Sequence, residues 1–170
     1  MKRVLIALVS LCLPVIAVAA LSAPPADFSG TWELDKAKSE GVQGGRQGAA
    51  PDSVTWVITQ DAKQITIASK TMVEGQERAQ SFSYNLDGSE STAEVQGRMP
   101  GKATLKAKWQ GDGKILELTR VRNISAQGQE FTVTTTEHLE LAEGGKVLKA
   151  HGSTATPQGA RESKLTFNKK

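Results

Sequence analysis

Cysteine is almost missing from this chain of 170 residues, because the single one is Cys12. Cys12 lies in the apolar N-terminal segment, so a chain that loses this segment contains no thiol at all. Structural disulfides, thiolate metal sites and cysteine nucleophiles are then excluded. The remaining part, about 150 residues long, has the usual size of one domain and must be stabilised by its hydrophobic core.

An excess of charge of either sign is also lacking. The net charge is +3, from 21 basic and 18 acidic residues. Two of the basic residues are Lys2 and Arg3, so the rest of the chain has 19 basic against 18 acidic residues, a net charge of +1. Both signs are interspersed along the chain and form no basic patch. We therefore predict no nucleic-acid partner.

Long apolar runs are absent except for residues 4–18. This run follows two cationic residues and is followed by small residues, which is the layout of a secretory signal peptide. It is shorter than the ~20 residues that a membrane-spanning helix needs. We therefore predict that residues 1–20 are a signal peptide, cleaved after Ala19 or Ala20. The protein is then expected in the periplasm or outside the cell, soluble and without a stable membrane anchor.

From residue 24 onward, apolar and polar residues alternate in short segments separated by glycine, aspartate and asparagine. This pattern is typical of a β-meander with tight turns. The clearest turns are predicted at residues 74–76, 87–88, 111–113, 127–128, 144–145 and 157–159. Ten strands are predicted at residues 28–34, 53–60, 63–73, 77–85, 90–97, 102–109, 114–122, 129–141, 146–155 and 160–168.

A flat sheet of ten strands would leave two unpaired edges and one wet face. Closure into a barrel removes the edges and encloses the apolar face. A two-sheet sandwich also fits the pattern, but consecutive hairpins favour an up-and-down barrel. We therefore predict one all-β domain, residues 24–170, in which an antiparallel meander closes into a barrel. Residues 39–51 contain four glycines and no helical periodicity, so they are predicted to form a mobile loop.

The first predicted strand contains the sequence Phe-Ser-Gly-Thr-Trp at residues 28–32. A Gly-x-Trp motif at the start of a β-meander resembles the calycins, the group that unites lipocalins and fatty-acid-binding proteins. Leu-Asp-Gly at 86–88 and Lys-Trp at 108–109 are also similar to small exported bacterial lipocalin-like domains. The resemblance implies a lipocalin-like barrel in which Gly30 lets the chain bend and Trp32 fills one end.

The same resemblance implies that a basic side chain of the last strand lies over Trp32 in a cation–π contact. Arg161 and Lys164 are the candidates. Fatty-acid-binding proteins also have two lid helices after the first strand, where this chain has the loop 39–51. Their C-terminal Arg-x-Tyr pair holds the ligand carboxylate, whereas residues 165–167 are Leu-Thr-Phe here. Fatty-acid binding by that pair is not expected.

Inward aromatic residues would line either a packed core or a ligand cavity, and the many small residues at inward positions favour a cavity. Arg120 continues the phase of Leu116 and Leu118, so inside the barrel it would hold an anionic group. The alternative, which we favour from the sequence, places Arg120 and Arg122 in water at the rim. The candidate cavity lining is Trp56, Phe82, Tyr84, Trp109, Arg120 and Phe131.

Neither a metal site nor a catalytic site is predicted. His138 and His151 lie on neighbouring predicted strands, but their spacing does not require a metal, and Glu137 alternates to the face opposite His138. The chain has no Gly-x-Ser-x-Gly motif. Three carboxylates alternate with hydrophobic residues, as solvent-exposed side chains do: Glu33, Glu94 and Glu117. We therefore predict a protein that is not an enzyme and has no cofactor.

The function predicted from the sequence is the binding of a small, largely apolar ligand inside the exported barrel. Two alternatives remain open. A packed barrel would have a structural or protein-interaction role in the cell envelope, and a calycin barrel can also support an enzyme.

Overall fold

The computed structural model describes residues 24–42, 50–95, 100–126 and 129–170. The predicted signal peptide lies outside these ranges. In the described part of the chain, no helix is both long enough and apolar enough to cross a membrane. Ten strands occur in chain order: β1 (Gly30–Leu34), β2 (Ser53–Gln60), β3 (Gln64–Val73), β4 (Gln76–Asn85), β5 (Ser91–Val95), β6 (Gly101–Gln110), β7 (Ile115–Ala126), β8 (Gln129–Ala142), β9 (Val147–Thr156) and β10 (Gly159–Lys169).

All ten strands belong to one antiparallel sheet that forms a nearly closed barrel. Except at one position, each strand pairs with the next in sequence, and β1 also pairs with β10. The exception is between β4 and β5, which are the two edges of the sheet. There the Ser91 hydroxyl donates a hydrogen bond of 2.8 Å to the backbone carbonyl of Ser83. The predicted meander and barrel are therefore confirmed, and the two-sheet sandwich is excluded.

The turns owe their shape to particular residues. Between β3 and β4, Glu74 and Gly75 both have positive φ, 51° and 74°, as a tight two-residue hairpin requires. The turn between β2 and β3 contains neither glycine nor proline. Instead, the Asp61 carboxylate accepts hydrogen bonds from the backbone N–H groups of Lys63, at 2.7 Å, and Gln64, at 2.8 Å. These bonds lower the pKa of Asp61. The turn predicted at 127–128 lies outside the described residues.

Strand β7 is longer than predicted, because it runs to Ala126 and not to residue 122. Its ladder with β8 continues beyond Arg122, where Ile124 lies opposite Phe131. This apolar pair holds the two strands together at positions where the sequence shows no clear alternation. Arg120 and Arg122 therefore lie within the strand and not at its end.

Residues 39–51 are held in place at both of their described ends. The backbones of Glu40 and Lys164 exchange two hydrogen bonds, 2.8 and 2.9 Å long. The Ser39 hydroxyl accepts the backbone N–H of Thr166 at 3.0 Å, and the side chain of Pro51 is fully buried. The predicted mobility is wrong for these residues, since composition does not reveal pairing with β10.

Large apolar side chains fill one end of the barrel, which we call the closed end. The Trp32 indole N–H donates to the carbonyl of Phe28 at 2.9 Å, and the Phe28 ring stacks on Trp109 at 6.1 Å. The Gln60 side chain accepts the N–H of Phe28 at 3.1 Å and donates to the carbonyl of Ala26 at 2.9 Å. The segment before β1 is thus fixed across this end.

Gly30 and the last strand complete the closed end. Gly30 has a φ of 145°, and a Cβ at this position would lie 2.7 Å from Cε of Lys169. The glycine therefore leaves room for Lys169, whose Nζ is 5.1 Å from the centre of the Trp32 ring. A basic side chain of the last strand does lie over Trp32, but Arg161 and Lys164 were the wrong candidates. Both are farther along β10, towards the opposite end of the barrel.

Candidate functional site

The inward face of the sheet changes from apolar to polar about halfway along the barrel. On β7 the inward residues Leu116 and Leu118 are followed by Arg120, and on β9 Ala150 is followed by Gly152. The strand register brings these changes to one level, because Leu118 lies opposite Glu137, Glu137 opposite Gly152, and Gly152 opposite Ser163. The barrel is packed below this level and lined by polar groups above it.

A cavity of about 410 Å³ occupies the half above this level, which we call the open half. Its apolar wall comes from the segment after β1 and from strands on both sides of it. The six residues of this wall are Val42, Val54, Trp56, Ile67, Phe82 and Leu165. Under it, the Trp56 ring contacts Phe167 with ring centres 4.4 Å apart. The facing wall is polar, from β8, β9 and β10 with Arg120 of β7.

Arg120 is the central cation of this cavity. Its guanidinium carbon lies 4.5 Å from the centre of the Phe82 ring, on the facing strand β4. Burial raises the pKa of Tyr84 to about 12, and the charge and hydrogen bonding of Arg120 act in the opposite direction. Burial and the charge of Arg120 also lower the pKa of Arg122. The structure thus places Arg120 inside the barrel, where the sequence favoured the rim.

Glu137 of β8 faces the same cavity. Gly152, directly opposite it, leaves the space that both neighbours use, since a Cβ there would lie 2.7 Å from the Ser163 hydroxyl and 3.8 Å from Cγ of Glu137. Burial raises the pKa of Glu137, and the positive charge of Arg120 acts in the opposite direction. Our sequence analysis did not select this residue, although its phase with Leu139 indicated an inward position.

The structure brings together four of the six candidate lining residues: Trp56, Phe82, Tyr84 and Arg120. Trp109 lies at the closed end, where it stacks on Phe28. Phe131 pairs with Ile124 on β7 and is not among the residues around the cavity. Alternation predicts which residues point inward, but it does not tell at which level of the barrel the interior opens.

The two histidines are direct cross-strand neighbours on the outer face, His138 on β8 and His151 on β9. Nε2 of His138 is 3.2 Å from the Glu117 carboxylate, which also accepts the Gln110 amide at 2.6 Å. Among the described residues, no group of three or more histidine, cysteine, aspartate or glutamate side chains is arranged to hold a metal ion. Glu117 is thus part of an outward-facing polar row.

No protein-family model matches this sequence, and no curated protein sequence matches it either. Two solved structures match the fold. The REP1-NXSQ fatty acid transporter has a TM-score of 0.53 and 14% identity, covering 84% of this chain and 96% of its own. Zebrafish ileal bile acid-binding protein complexed with cholic acid has a TM-score of 0.52 and 19% identity, covering 84% and 98%. The fold is therefore a lipocalin-like barrel of the calycin type, as the Gly30 and Trp32 motif implied.

Proposed function

We propose that this protein binds a small amphipathic ligand inside its barrel and is not an enzyme. The observation that carries the proposal is the cavity of about 410 Å³, a volume within the range of ~300–1,000 Å³ that is typical of ligand sites. This volume favours ligand binding over the alternative of a solidly packed barrel. The apolar wall around Trp56 and Phe82 would bury the body of the ligand.

The polar wall refines the ligand class that the sequence suggested. A largely apolar molecule would leave Arg120, Glu137 and the hydroxyl groups of this wall without water or partners, which is costly. A ligand with one polar end satisfies them, and Arg120 and Tyr84 are the groups that would orient that end. We therefore propose an amphipathic ligand and not a wholly apolar one.

The matched structures support this choice. One is named for the transport of fatty acids, and the other is a bile acid-binding protein complexed with cholic acid. Both ligand classes combine an apolar body with an acidic end. Both names describe binding or transport, which also supports a function without catalysis.

We further propose that the protein acts after export. The support is the arrangement of two cations, an apolar run and small residues within residues 1–20. Mass spectrometry of the protein purified from its source should give an N-terminus at Ala20 or Leu21. A mature protein that retains Met1 would contradict export by this segment.

Tryptophan fluorescence offers a direct test of binding, since the chain has three tryptophans and only Trp56 lines the cavity. Titration with a fluorescent amphiphile should change the intrinsic emission of the wild type. Trp56→Phe should remove most of this change, and Trp109→Phe, at the closed end, should preserve it. Native mass spectrometry should show one ligand per chain. Failure of both measurements, or loss of the change only in Trp109→Phe, would refute binding in this cavity.

A further inference from the structure

Arg120 and Glu137 face one cavity from neighbouring strands without forming an ion pair. In the ladder between β7 and β8, Arg120 lies opposite Thr135 and Glu137 lies opposite Leu118. The two residues are thus diagonal neighbours, about 7–8 Å apart along the sheet. No salt bridge joins them in the described ranges, and the guanidinium lies over Phe82 instead. Space for a small charged group therefore remains beside both.

The other charged groups around the cavity leave this pair as its main variable. The titratable side chains that line the cavity with Glu137 are Tyr84 of β4, Arg120 of β7, and Arg161 and Glu162 of β10. Arg161 and Glu162 carry opposite charges. Strand β9 faces Glu137 with Gly152 and Thr154, which do not titrate, and Arg122 is the next inward residue of β7. Tyr84 is neutral at ordinary pH, since its pKa is about 12.

The charge at the centre of the cavity therefore depends on Glu137. When its carboxyl group is protonated, Arg120 offers an unmatched positive charge. When the group is ionised, the two charges largely cancel, and the carboxylate repels any anion that approaches Arg120.

We infer that the cavity selects ligands with an anionic head, and that Glu137 takes up one proton when such a ligand binds at Arg120. This inference rests on the proposed function and names the ligand charge and the regulation of the same site. An anion beside Glu137 favours the protonated carboxyl group because two adjacent negative charges repel. By linkage, protonation of Glu137 strengthens anion binding by the same factor. A neutral ligand of the same shape gives no such coupling.

The environment of Glu137 supports this coupling. Burial already raises its pKa, and the charge of Arg120 is the effect that opposes the rise. A bound anion neutralises Arg120 and so removes this opposition. The ligand and the proton therefore act in the same direction.

Two fluorescent probes with the same aromatic body separate charge from shape. The probe 1-anilinonaphthalene-8-sulfonate carries a sulfonate that stays ionised at every pH at which the protein is folded, and N-phenyl-1-naphthylamine lacks it. Affinities of both probes are measured by fluorescence across the pH range. Calorimetry in buffers of different ionisation enthalpy then counts the protons that accompany binding.

For the wild type, the affinity for the sulfonate should fall by about tenfold for each pH unit above the pKa of Glu137, until it reaches a plateau. Sulfonate binding should take up close to one proton at the plateau. The affinity for the naphthylamine should stay constant over the same range.

Variants assign the proton to one residue. Glu137→Gln should bind the sulfonate at all pH values as tightly as the wild type does at low pH, without proton uptake. Glu140→Gln changes an exposed glutamate on the same strand and should behave as the wild type. Arg120→Gln should weaken sulfonate binding by about tenfold or more, with little effect on the naphthylamine.

The outcomes distinguish the two levels of the proposal. If neither probe binds in the cavity, ligand binding itself is refuted. If both probes bind but the sulfonate shows no pH dependence, or if the dependence persists in Glu137→Gln, the proton coupling is overturned and ligand binding stands. The calorimetric proton count for the wild type provides the same decision if a variant does not fold.

Discussion

At the closed end of the barrel, Phe28 and Trp32 are wholly buried, and the polar groups among them are bonded to one another. In the open half, the same strands present Arg120, Glu137 and hydroxyl groups to a cavity. Strand β7 shows the change most clearly, since Leu116 and Leu118 are buried and Arg120 follows two residues later. One alternation pattern thus supports opposite chemistry at its two ends.

The difference shows how this barrel separates stability from function. Burial of large apolar side chains is the main favourable term in folding, and it is concentrated at the closed end. Inward polar groups without partners cost free energy, so the open half contributes less to stability. The polar groups are tolerated there because the cavity keeps them accessible.

The strongest test of this comparison replaces one phenylalanine in each half. Phe28→Ala should cost about 3–5 kcal/mol of unfolding free energy, because the site is fully packed. Phe82→Ala should cost about 1–2 kcal/mol less, because its ring already borders a cavity and little new void is created. Urea denaturation of both variants measures the difference. Equal losses would show that the open half is packed as tightly as the closed end.

A glycine pair tests the crowding at the closed end. Gly30 and Gly101 have similar φ angles, 145° and 155°, but a Cβ would meet Lys169 at Gly30 and nothing within 4 Å at Gly101. Both alanine variants should lose about 1–2 kcal/mol from backbone strain, and Gly30→Ala should lose roughly 1 kcal/mol more from the contact. Thermal unfolding compares them. A Gly101→Ala variant as unstable as Gly30→Ala would mean that conformation alone requires the glycine.

The fold was largely predictable from the sequence because strand periodicity and turn residues are local. The ten predicted strands match the observed ones, and the β2–β3 turn formed without glycine because the Asp61 side chain supplies its hydrogen bonds. Pairing of residue 40 with β10 is not local, so the prediction of a mobile loop failed there. Lys169 was missed for the same reason, because its contact with Trp32 depends on the register between β1 and β10.

The site was only partly predictable. Alternation placed Trp56, Phe82 and Tyr84 inside, and they do line the cavity. It gave no information on the level at which the interior opens, so Trp109 was grouped with them. Glu137 was overlooked because charged residues are usually solvent-exposed, and its burial depends on Gly152 on another strand.

A carboxyl group in the open half should make stability depend on pH. The pKa of Glu137 is raised in the folded state, so the fold favours its protonated form. This stability is fully present below the unfolded-state pKa of about 4.3, and it is lost as the pH rises through the folded-state pKa. Glu137→Gln should therefore match the wild type at low pH and exceed it, by on the order of 1 kcal/mol, at higher pH.

Chemical denaturation of this variant at several pH values, beside Glu140→Gln, gives the comparison. The exposed control should differ from the wild type by a constant amount. A Glu137→Gln difference that is also constant with pH would mean that the carboxyl group is solvated.

The smallest effect is expected for the cation at the closed end. Lys169→Met keeps most of the aliphatic stem beside Gly30 and removes the ammonium 5.1 Å from the Trp32 ring centre. The expected loss is about 0.5–1 kcal/mol, the usual size of an exposed cation–π contact. Lys170→Met is the matched control, since this neighbouring lysine makes a surface ion pair of 3.1 Å with Glu33, worth about 0–1 kcal/mol. Salt separates the two contacts, because screening weakens the exposed ion pair more than the contact with a buried ring. A Lys169→Met loss that disappears in high salt would reassign Lys169 to a surface electrostatic role and leave the closed end stabilised by packing alone.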